Sequence, residues 1–159
     1  MLKNGLLAPD FELPDQDGRK RRLSELVGGK PLILYFYPAD FTPGCTKEAC
    51  DLRDLHTQIL ASGLRVVGVS PQSADSHRRF RDQHSLPFTL LSDEDKAAIK
   101  AFDVDGPLGI GVRRATFLLD GNRKIVDSVL ADLRVGRHQE FVERAIAARE
   151  DPGASPRRG

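Results

Sequence analysis

The stretch PLILYFYPADFTPGCTKEAC, residues 31–50, joins two kinds of secondary structure and holds both cysteines of the chain. Its first part, Pro31–Tyr37, is a compact apolar and aromatic run, which is typical of a buried central strand. From Pro43 onward, apolar residues recur at helical spacing until Gly63, where a helix end favours a left-handed residue. A second apolar run, Leu64–Ser70, follows. Strand, helix and strand predict a right-handed βαβ unit with parallel strands.

The alternation of helices and strands continues after this unit. The sequence predicts, in order, a polar helix over Ser73–Ser85, a strand in LPFTLLSD, a short helix over Glu94–Phe102, a hairpin of Arg113–Leu119 and Lys124–Leu130, and a closing helix over Gly136–Glu150. The DGN turn between the last two strands is of the kind that links antiparallel neighbours. The whole pattern predicts an α/β protein of thioredoxin-like fold, with a central mixed β-sheet flanked by helices on both faces.

Length and composition fit one soluble domain. The chain has 159 residues, of which 40% are hydrophobic and 30% charged. We expect residues 1–150 to form a single domain, because a chain of this length buries a sizeable core. The polar tail DPGASPRRG, residues 151–159, is rich in proline and glycine and is expected to be disordered.

Charge and hydropathy exclude several classes of partner. A formal net charge of +1 gives no electrostatic case for binding nucleic acid or an anionic membrane surface. The longest apolar run is too short to span a bilayer, and no signal peptide is recognised. We therefore expect a cytoplasmic protein whose thiols are reduced at rest. There, a close cysteine pair is catalytic, redox-active or metal-binding more often than structural.

Cys45 is expected in the first turn of the long helix. Pro43 suits the first helical position, and Thr42 suits the cap before it. The positive end of the helix dipole and the unpaired backbone N–H groups there favour a thiolate. A small buried hydrophobic role fits the position equally well. A zinc site is disfavoured, because Cys45 and Cys50 lack a second nearby pair of ligands.

Several segments together resemble the peroxiredoxins, which are thiol peroxidases. Pro38, Thr42 and Cys45 form the motif P-x-x-x-T-x-x-C of that family. DFTPGCTKEAC is similar to the bacterioferritin comigratory protein, or peroxiredoxin Q, subgroup of AhpC/TSA-type proteins, whose second cysteine lies five residues after the first. VVGVSPQSADSHRRF, LPFTLLSD and RRATFLLDGNRKIV extend the likeness over residues 6–147. This many ordered matches is a specific signal.

The resemblance implies a role for each matching residue. Cys45 would be the peroxidatic nucleophile, Thr42 would hydrogen-bond the thiolate and the peroxide, and Pro38 would shield the pocket. Arg114, in R-A-T-F, would supply a fixed positive charge to the thiolate and to the oxygen that gains charge. The backbone N–H groups of Gly44 and Cys45 would be further donors. No metal, haem, flavin or other cofactor is implied.

Cys50 would be the resolving thiol, forming an intramolecular disulfide with the Cys45 sulfenic acid. On an intact helix the two Cα atoms lie roughly 8–9 Å apart, and a disulfide tolerates at most about 7 Å. We therefore predict that the first turns of the helix unwind for this step. If Cys50 is only a buried small residue, an external thiol must resolve Cys45 directly.

The implied reaction is reduction of hydrogen peroxide and organic hydroperoxides by a monomer. Thioredoxin or a glutaredoxin-like dithiol protein would return the electrons by thiol–disulfide exchange. One alternative is a thioredoxin-like disulfide oxidoreductase, which the lack of a C-x-x-C motif disfavours. The other is a non-enzymatic redox sensor or binding module that uses the same cysteines.

Other polar residues receive modest interpretations from sequence alone. Glu48 is expected on a solvated helix face, with support of the site as the alternative. His77 is interpreted as structural or on the surface, and His138 receives no role. The short, glycine-rich loop 103–112 is expected to border the mouth of the pocket.

Overall fold

Helices and strands alternate along residues 1–150, the part of the chain described by the structure, which is a computed structural model. In chain order the elements are β1 (Glu12–Pro14), β2 (Lys20–Arg22), α1 (Leu23–Val27), β3 (Leu32–Phe36), α2 (Pro43–Ala61), β4 (Val66–Ser70), α3 (Ala74–His84), β5 (Thr89–Ser92), α4 (Ala97–Ala101), a 3₁₀ turn (Pro107–Gly109), β6 (Ala115–Leu119), β7 (Ile125–Leu130) and α5 (Gly136–Glu150). The tail predicted to be disordered, 151–159, lies outside the described residues.

Five strands form the central sheet in the spatial order β5-β4-β3-β6-β7. Strand β3 pairs in parallel with β4, and β4 in parallel with β5. Strands β3 and β6, and β6 and β7, are antiparallel. The predicted βαβ unit, the hairpin and the mixed sheet are confirmed.

The register of β3 against β6 matters for the site. Phe36, the last residue of β3, lies opposite Ala115, the first residue of β6. Chain segments far apart in sequence therefore meet at this end of the sheet. The segment that follows β3 leads to Cys45, and the segment that precedes β6 carries Arg114.

A hydrophobic core lies on each face of the sheet, because side chains along a strand alternate between faces. Every residue of β3 is buried. Leu34 and Phe36 pack on one side with residues of α1 and α4. Ile33 and Tyr35 pack on the other side with residues of α2, α3 and α5. Helices thus cover both faces, which confirms the thioredoxin-like arrangement.

Several element boundaries differ from the prediction by one to three residues, and two of the differences have a local reason. The hairpin strand begins at Ala115 rather than Arg113, and the backbone N–H of Arg114 donates to the Asp132 carboxylate (2.9 Å). The short helix begins at Ala97 rather than Glu94. There the Asp93 carboxylate accepts the N–H of Ile99 at 2.8 Å, inside the first turn.

Candidate active site

The thiol of Cys45 lies in the first turn of α2, where the sequence places it. Thr42 is the N-cap residue, with extended backbone dihedrals, and Pro43 occupies the first turn. The Cys45 side chain is buried, with 1% relative exposure. The thiol therefore lies at the positive end of a 19-residue helix, which favours the anionic form of the sulfur.

Arg114, the residue just before β6, contacts this thiol. Both terminal guanidinium nitrogens lie 3.3 Å from the Cys45 Sγ atom, and Nη1 also donates to Glu48 Oε1 at 2.8 Å. Burial alone would lower the pKa of Arg114, but the charges and hydrogen bonds of Glu48 and Cys45 outweigh it and raise that pKa. A permanent cation is thus aimed at the sulfur.

Gly44 makes this close approach possible. A Cβ atom at Gly44 would lie 3.0 Å from Nη2 of Arg114. That separation is tighter than an ordinary van der Waals contact, so a larger residue would press the guanidinium away from the sulfur. The absence of a side chain at this position helps to define the geometry of the site.

The expectation of a solvated Glu48 is wrong. Its side chain is buried, because this face of α2 packs on the sheet and α5 rather than facing water. Burial raises the pKa of Glu48 to about 7, and the attraction of Arg114 only partly offsets that effect. Its second oxygen, Oε2, has no hydrogen bond and lies 3.5 Å from Nδ1 of His138. Glu48 and His138 therefore belong to the surroundings of the thiol.

Thr42 caps the helix that carries Cys45, but its hydroxyl has a partner other than the thiol. It donates to the backbone carbonyl of Ala39 at 2.8 Å. Its proton is therefore not directed at the Cys45 sulfur in this conformation, although the oxygen lone pairs can still accept a hydrogen bond. Pro38 lines the cleft above Arg114.

A second buried polar cluster anchors the loop between β3 and α2. Asp40, in this loop, accepts hydrogen bonds from the Tyr37 hydroxyl (2.7 Å) and the Ser76 hydroxyl (2.8 Å), and its Oδ2 lies 2.7 Å from Nδ1 of His77. Nε2 of His77 lies 3.0 Å from the carbonyl of Leu91. His77 thus joins the loop to β5 through contacts at both of its ring nitrogens. His77 is structural, as one of its two interpretations stated, and it is not on the surface.

Cys50 lies five residues along the same helix and is only partly buried. Helix α2 is continuous from Pro43 to Ala61, and both cysteines are free thiols. The Cys50 Sγ atom lies 3.8 Å from Nδ1 of His84. The structure thus corresponds to the reduced, fully helical state.

A cleft of about 650 Å³ leads to the thiol-binding arginine. Its wall includes Pro38, Arg114 and much of the loop 103–112, so the expectation that this loop borders the pocket is confirmed. Ile110, on the rim, is 75% exposed. Within residues 1–150 no group of three or more histidine, cysteine or acidic side chains is arranged to hold a metal ion.

The fold and the site together define a thioredoxin-fold protein with a buried cysteine held against an arginine. The AhpC/TSA family matches residues 5–128, and the chain belongs to that family. Peroxiredoxin Bcp of Bacillus subtilis (strain 168) is 42% identical over 131 residues, which cover 79% of this chain and 83% of the relative. These matches confirm the resemblance to the Bcp and peroxiredoxin Q subgroup of peroxidase oxidoreductases.

Two further relatives show the same similarity. The crystal structure of peroxidoxin BcpB from Mycobacterium tuberculosis superposes with a TM-score of 0.86 and 37% identity, covering 93% of this chain and 98% of that one. Peroxiredoxin Q, chloroplastic, of Oryza sativa subsp. japonica is 46% identical over 122 residues, 76% of this chain and 56% of the longer plant protein.

No helix within residues 1–150 combines the length and apolar character needed to cross a membrane.

Proposed function

We propose that this protein is a thiol-dependent peroxidase that reduces hydrogen peroxide and organic hydroperoxides through Cys45. The observation that carries the proposal is the pair of 3.3 Å contacts from the Arg114 guanidinium to the Cys45 sulfur, at the start of a helix and beside a cleft that Arg114 lines. A thiolate needs such stabilisation to be the nucleophile at neutral pH. An antioxidant role follows from this activity.

In the first step the Cys45 thiolate attacks the terminal oxygen of the peroxide. The new S–O bond forms as the O–O bond breaks, which leaves a sulfenic acid and an alkoxide or hydroxide that takes up a proton. Arg114 and the backbone N–H groups of Gly44 and Cys45 stabilise the charge that moves onto the leaving oxygen. The Thr42 hydroxyl oxygen accepts the peroxide O–H, and Pro38 shields the reacting atoms from water.

In the second step Cys50 condenses with the sulfenic acid. The disulfide forms, the S–O bond breaks, and water leaves. Because α2 is continuous through both residues, its first turns must open before the sulfurs can meet. A dithiol protein such as thioredoxin or a glutaredoxin-like protein then reduces the disulfide. We further propose a cytoplasmic monomer with residues 1–150 as a single domain, working without metal, haem or flavin.

Mass spectrometry after one equivalent of peroxide tests this cycle. We expect the wild type to lose two hydrogens, and Cys50→Ser to retain one added oxygen. Cys45→Ser should consume no peroxide. Continued peroxide reduction by Cys45→Ser would overturn the assignment, and a sulfenic acid that persists in the wild type would assign resolution to an external thiol.

Turnover separates the enzyme from its alternatives. With thioredoxin and its reductase in excess, a peroxidase consumes peroxide through many cycles, whereas a sensor or binding module stops after one. A disulfide oxidoreductase would reduce disulfide substrates and leave peroxide unchanged. Backbone amide exchange over residues 45–50 should rise on oxidation, because the helix opens. Unchanged protection in the disulfide form would contradict the opening step.

A further inference from the structure

Behind Arg114, away from the cleft, lies a buried polar cluster that the proposed cycle does not use. His138, at the start of α5, is 1% exposed, and its Nε2 lies 3.0 Å from the carbonyl of Ala131. A carbonyl can only accept, so Nε2 carries the hydrogen. The other nitrogen, Nδ1, lies 2.8 Å from the Thr116 hydroxyl, which can donate to it.

Glu48 faces this same nitrogen. Its Oε2 atom lies 3.5 Å from Nδ1 of His138 and has no hydrogen bond, although it is fully buried. If the carboxylate were charged and Nδ1 accepted from Thr116, Oε2 would be a buried anionic oxygen with no hydrogen on Nδ1 to pair with it, which is costly. One proton in this space removes the conflict, as a carboxylic acid or as an imidazolium.

We propose that Glu48 and His138 share one proton, and that this proton determines how much of the Arg114 charge serves Cys45. His138 is then a positioning residue that acts through Glu48. The inference rests on the proposed peroxidase function for its effect on rate, but the shared proton itself stands on the geometry of the cluster.

The effect on the nucleophile follows from counting charges. Nη1 of Arg114 contacts both the Cys45 sulfur (3.3 Å) and Glu48 Oε1 (2.8 Å). With the shared proton present, the Cys45 thiolate is the single net anion balanced by this guanidinium. When the proton leaves, two anions compete for one cation. Less positive charge is then available for the leaving oxygen, and the rate of peroxide cleavage falls.

The surroundings indicate which group holds the proton. Burial raises the pKa of Glu48, whereas burial and the Arg114 charge lower the pKa of His138. Both directions favour a protonated Glu48 beside a neutral imidazole. The titratable and charged groups that face this pair come from several elements: Tyr35 on β3, Cys45 and Asp51 on α2, Arg114 before β6, and Asp132 after β7.

The rate profile is the first test, measured as the second-order rate constant for hydrogen peroxide in the Cys50→Ser background, from about pH 5 to 9. With Glu48 and His138 present, we expect the rate constant to fall as the pH rises through neutrality; this decrease is the falling limb of the profile. Glu48→Gln should abolish that limb, because the amide cannot lose a proton. His138→Asn should move it about one pH unit lower, since an amide donor stabilises the charged carboxylate. His56→Asn, on the outer part of α2, is the matched control and should leave the limb in place.

Infrared spectroscopy is the second test and needs no turnover. The carbonyl band of a protonated carboxylic acid should disappear over the same pH range as the falling limb and be missing from Glu48→Gln. By linkage, Cys45→Ser should move this titration to lower pH, because the thiolate no longer opposes ionisation of Glu48.

These results separate the two proposals. Failure to react with peroxide would overturn the peroxidase function, while the infrared titration would still decide the shared proton. Peroxide reduction with a limb that persists in Glu48→Gln would overturn the inference alone. The inference would also be overturned if the wild-type protein showed no carboxylic acid band in the infrared and an unprotonated Nδ1 of His138 in nitrogen-15 spectra. These measurements do not depend on the folding of any variant.

Discussion

Arg114 is shared between two acceptors, and this sharing distinguishes it from a simple surface ion pair. Its terminal nitrogens reach the Cys45 sulfur, while Nη1 also binds Glu48. The planar guanidinium can serve both directions at once because its donors are arranged in a fork. An ammonium group offers a point charge without this geometry. The site therefore depends on the shape of the cation as well as on its charge.

Arg114→Lys should lower the rate constant for peroxide by about 10²-fold or more, the order of loss seen when one fixed donor to a developing oxyanion is removed. Stopped-flow kinetics with hydrogen peroxide measure this effect. The control is Arg78→Lys, at an exposed residue of α3 that pairs with Asp75. A loss of less than about threefold for Arg114→Lys would show that charge alone suffices.

Gly44→Ala should lower the same rate by about tenfold, equivalent to about 1.4 kcal/mol. The added methyl group would lie 3.0 Å from Nη2 of Arg114 and push the guanidinium from the sulfur. Gly136→Ala is the matched control, because a Cβ at this first residue of α5 meets nothing within 4 Å. Equal kinetics for both variants would contradict the steric role of Gly44.

At the scale of elements, the loop between β3 and α2 is fixed from outside by α3. Asp40 lies between Pro38 and Thr42, and its carboxylate accepts from His77 and Ser76 of α3. The loop can therefore keep its conformation while the first turns of α2 open and close. Because the loop before α2 is anchored to α3, we expect the proposed opening to be confined to the first turns of α2.

Asp40→Asn should lower the free energy of unfolding by about 3–5 kcal/mol, because it removes the carboxylate from a fully buried pair with His77. Urea unfolding of both single variants and of Asp40→Asn with His77→Gln gives a double-mutant cycle. The double variant should recover part of the loss, since neither member of the pair is left buried without its partner. Strict additivity of the two single effects would contradict a coupling between Asp40 and His77.

Prediction from sequence succeeded for elements whose signals are local. The apolar runs of β3 and β4, the helical spacing after Pro43 and the DGN turn each describe a short segment, and the sheet follows from them. Arg114 was found through its place in a recognised motif. Spacing by itself does not indicate that a residue 69 positions from Cys45 contacts the thiol.

The residues that sequence reasoning missed depend on packing between distant elements. Glu48 has the local signal of a surface carboxylate, and only the position of α5 against α2 makes it buried. His138 lies on α5. The pairing of Asp40 with His77 needs the βαβ topology before it can be anticipated. In each case a polar residue contacts a partner on a distant element of the fold. The local sequence around the residue does not indicate which element that is.

At the scale of the whole molecule, Glu48 makes stability depend on pH. Its pKa is raised from the ordinary value of 4.5 to about 7 by burial. Between these values the folded protein keeps a proton that the unfolded chain has released. The contribution of Glu48 is therefore fully present below pH 4.5 and is lost as the pH rises toward 7.

Glu48→Gln should remove this dependence. We expect the stability of the wild type, relative to Glu48→Gln, to fall by on the order of 2–3 kcal/mol between about pH 4.5 and 7.5. Urea unfolding at several pH values measures the difference, and Glu143→Gln on the exposed side of α5 is the control. Parallel stability curves for the wild type and Glu48→Gln would contradict the raised pKa.

The Cys45–Arg114 contact and the rim of the cleft are built by different parts of the fold. Backbone pairing at the centre of the sheet brings Arg114 to Cys45, whereas the rim of the cleft is formed by the loop 103–112, which contributes no residue to the central sheet. Under the proposed function, changes in this loop should alter which peroxides enter without moving the reacting atoms. The reacting residues Cys45 and Arg114 are thus positioned independently of the loop at the entrance, and a transplanted loop should bring new substrate preferences to an unchanged chemistry.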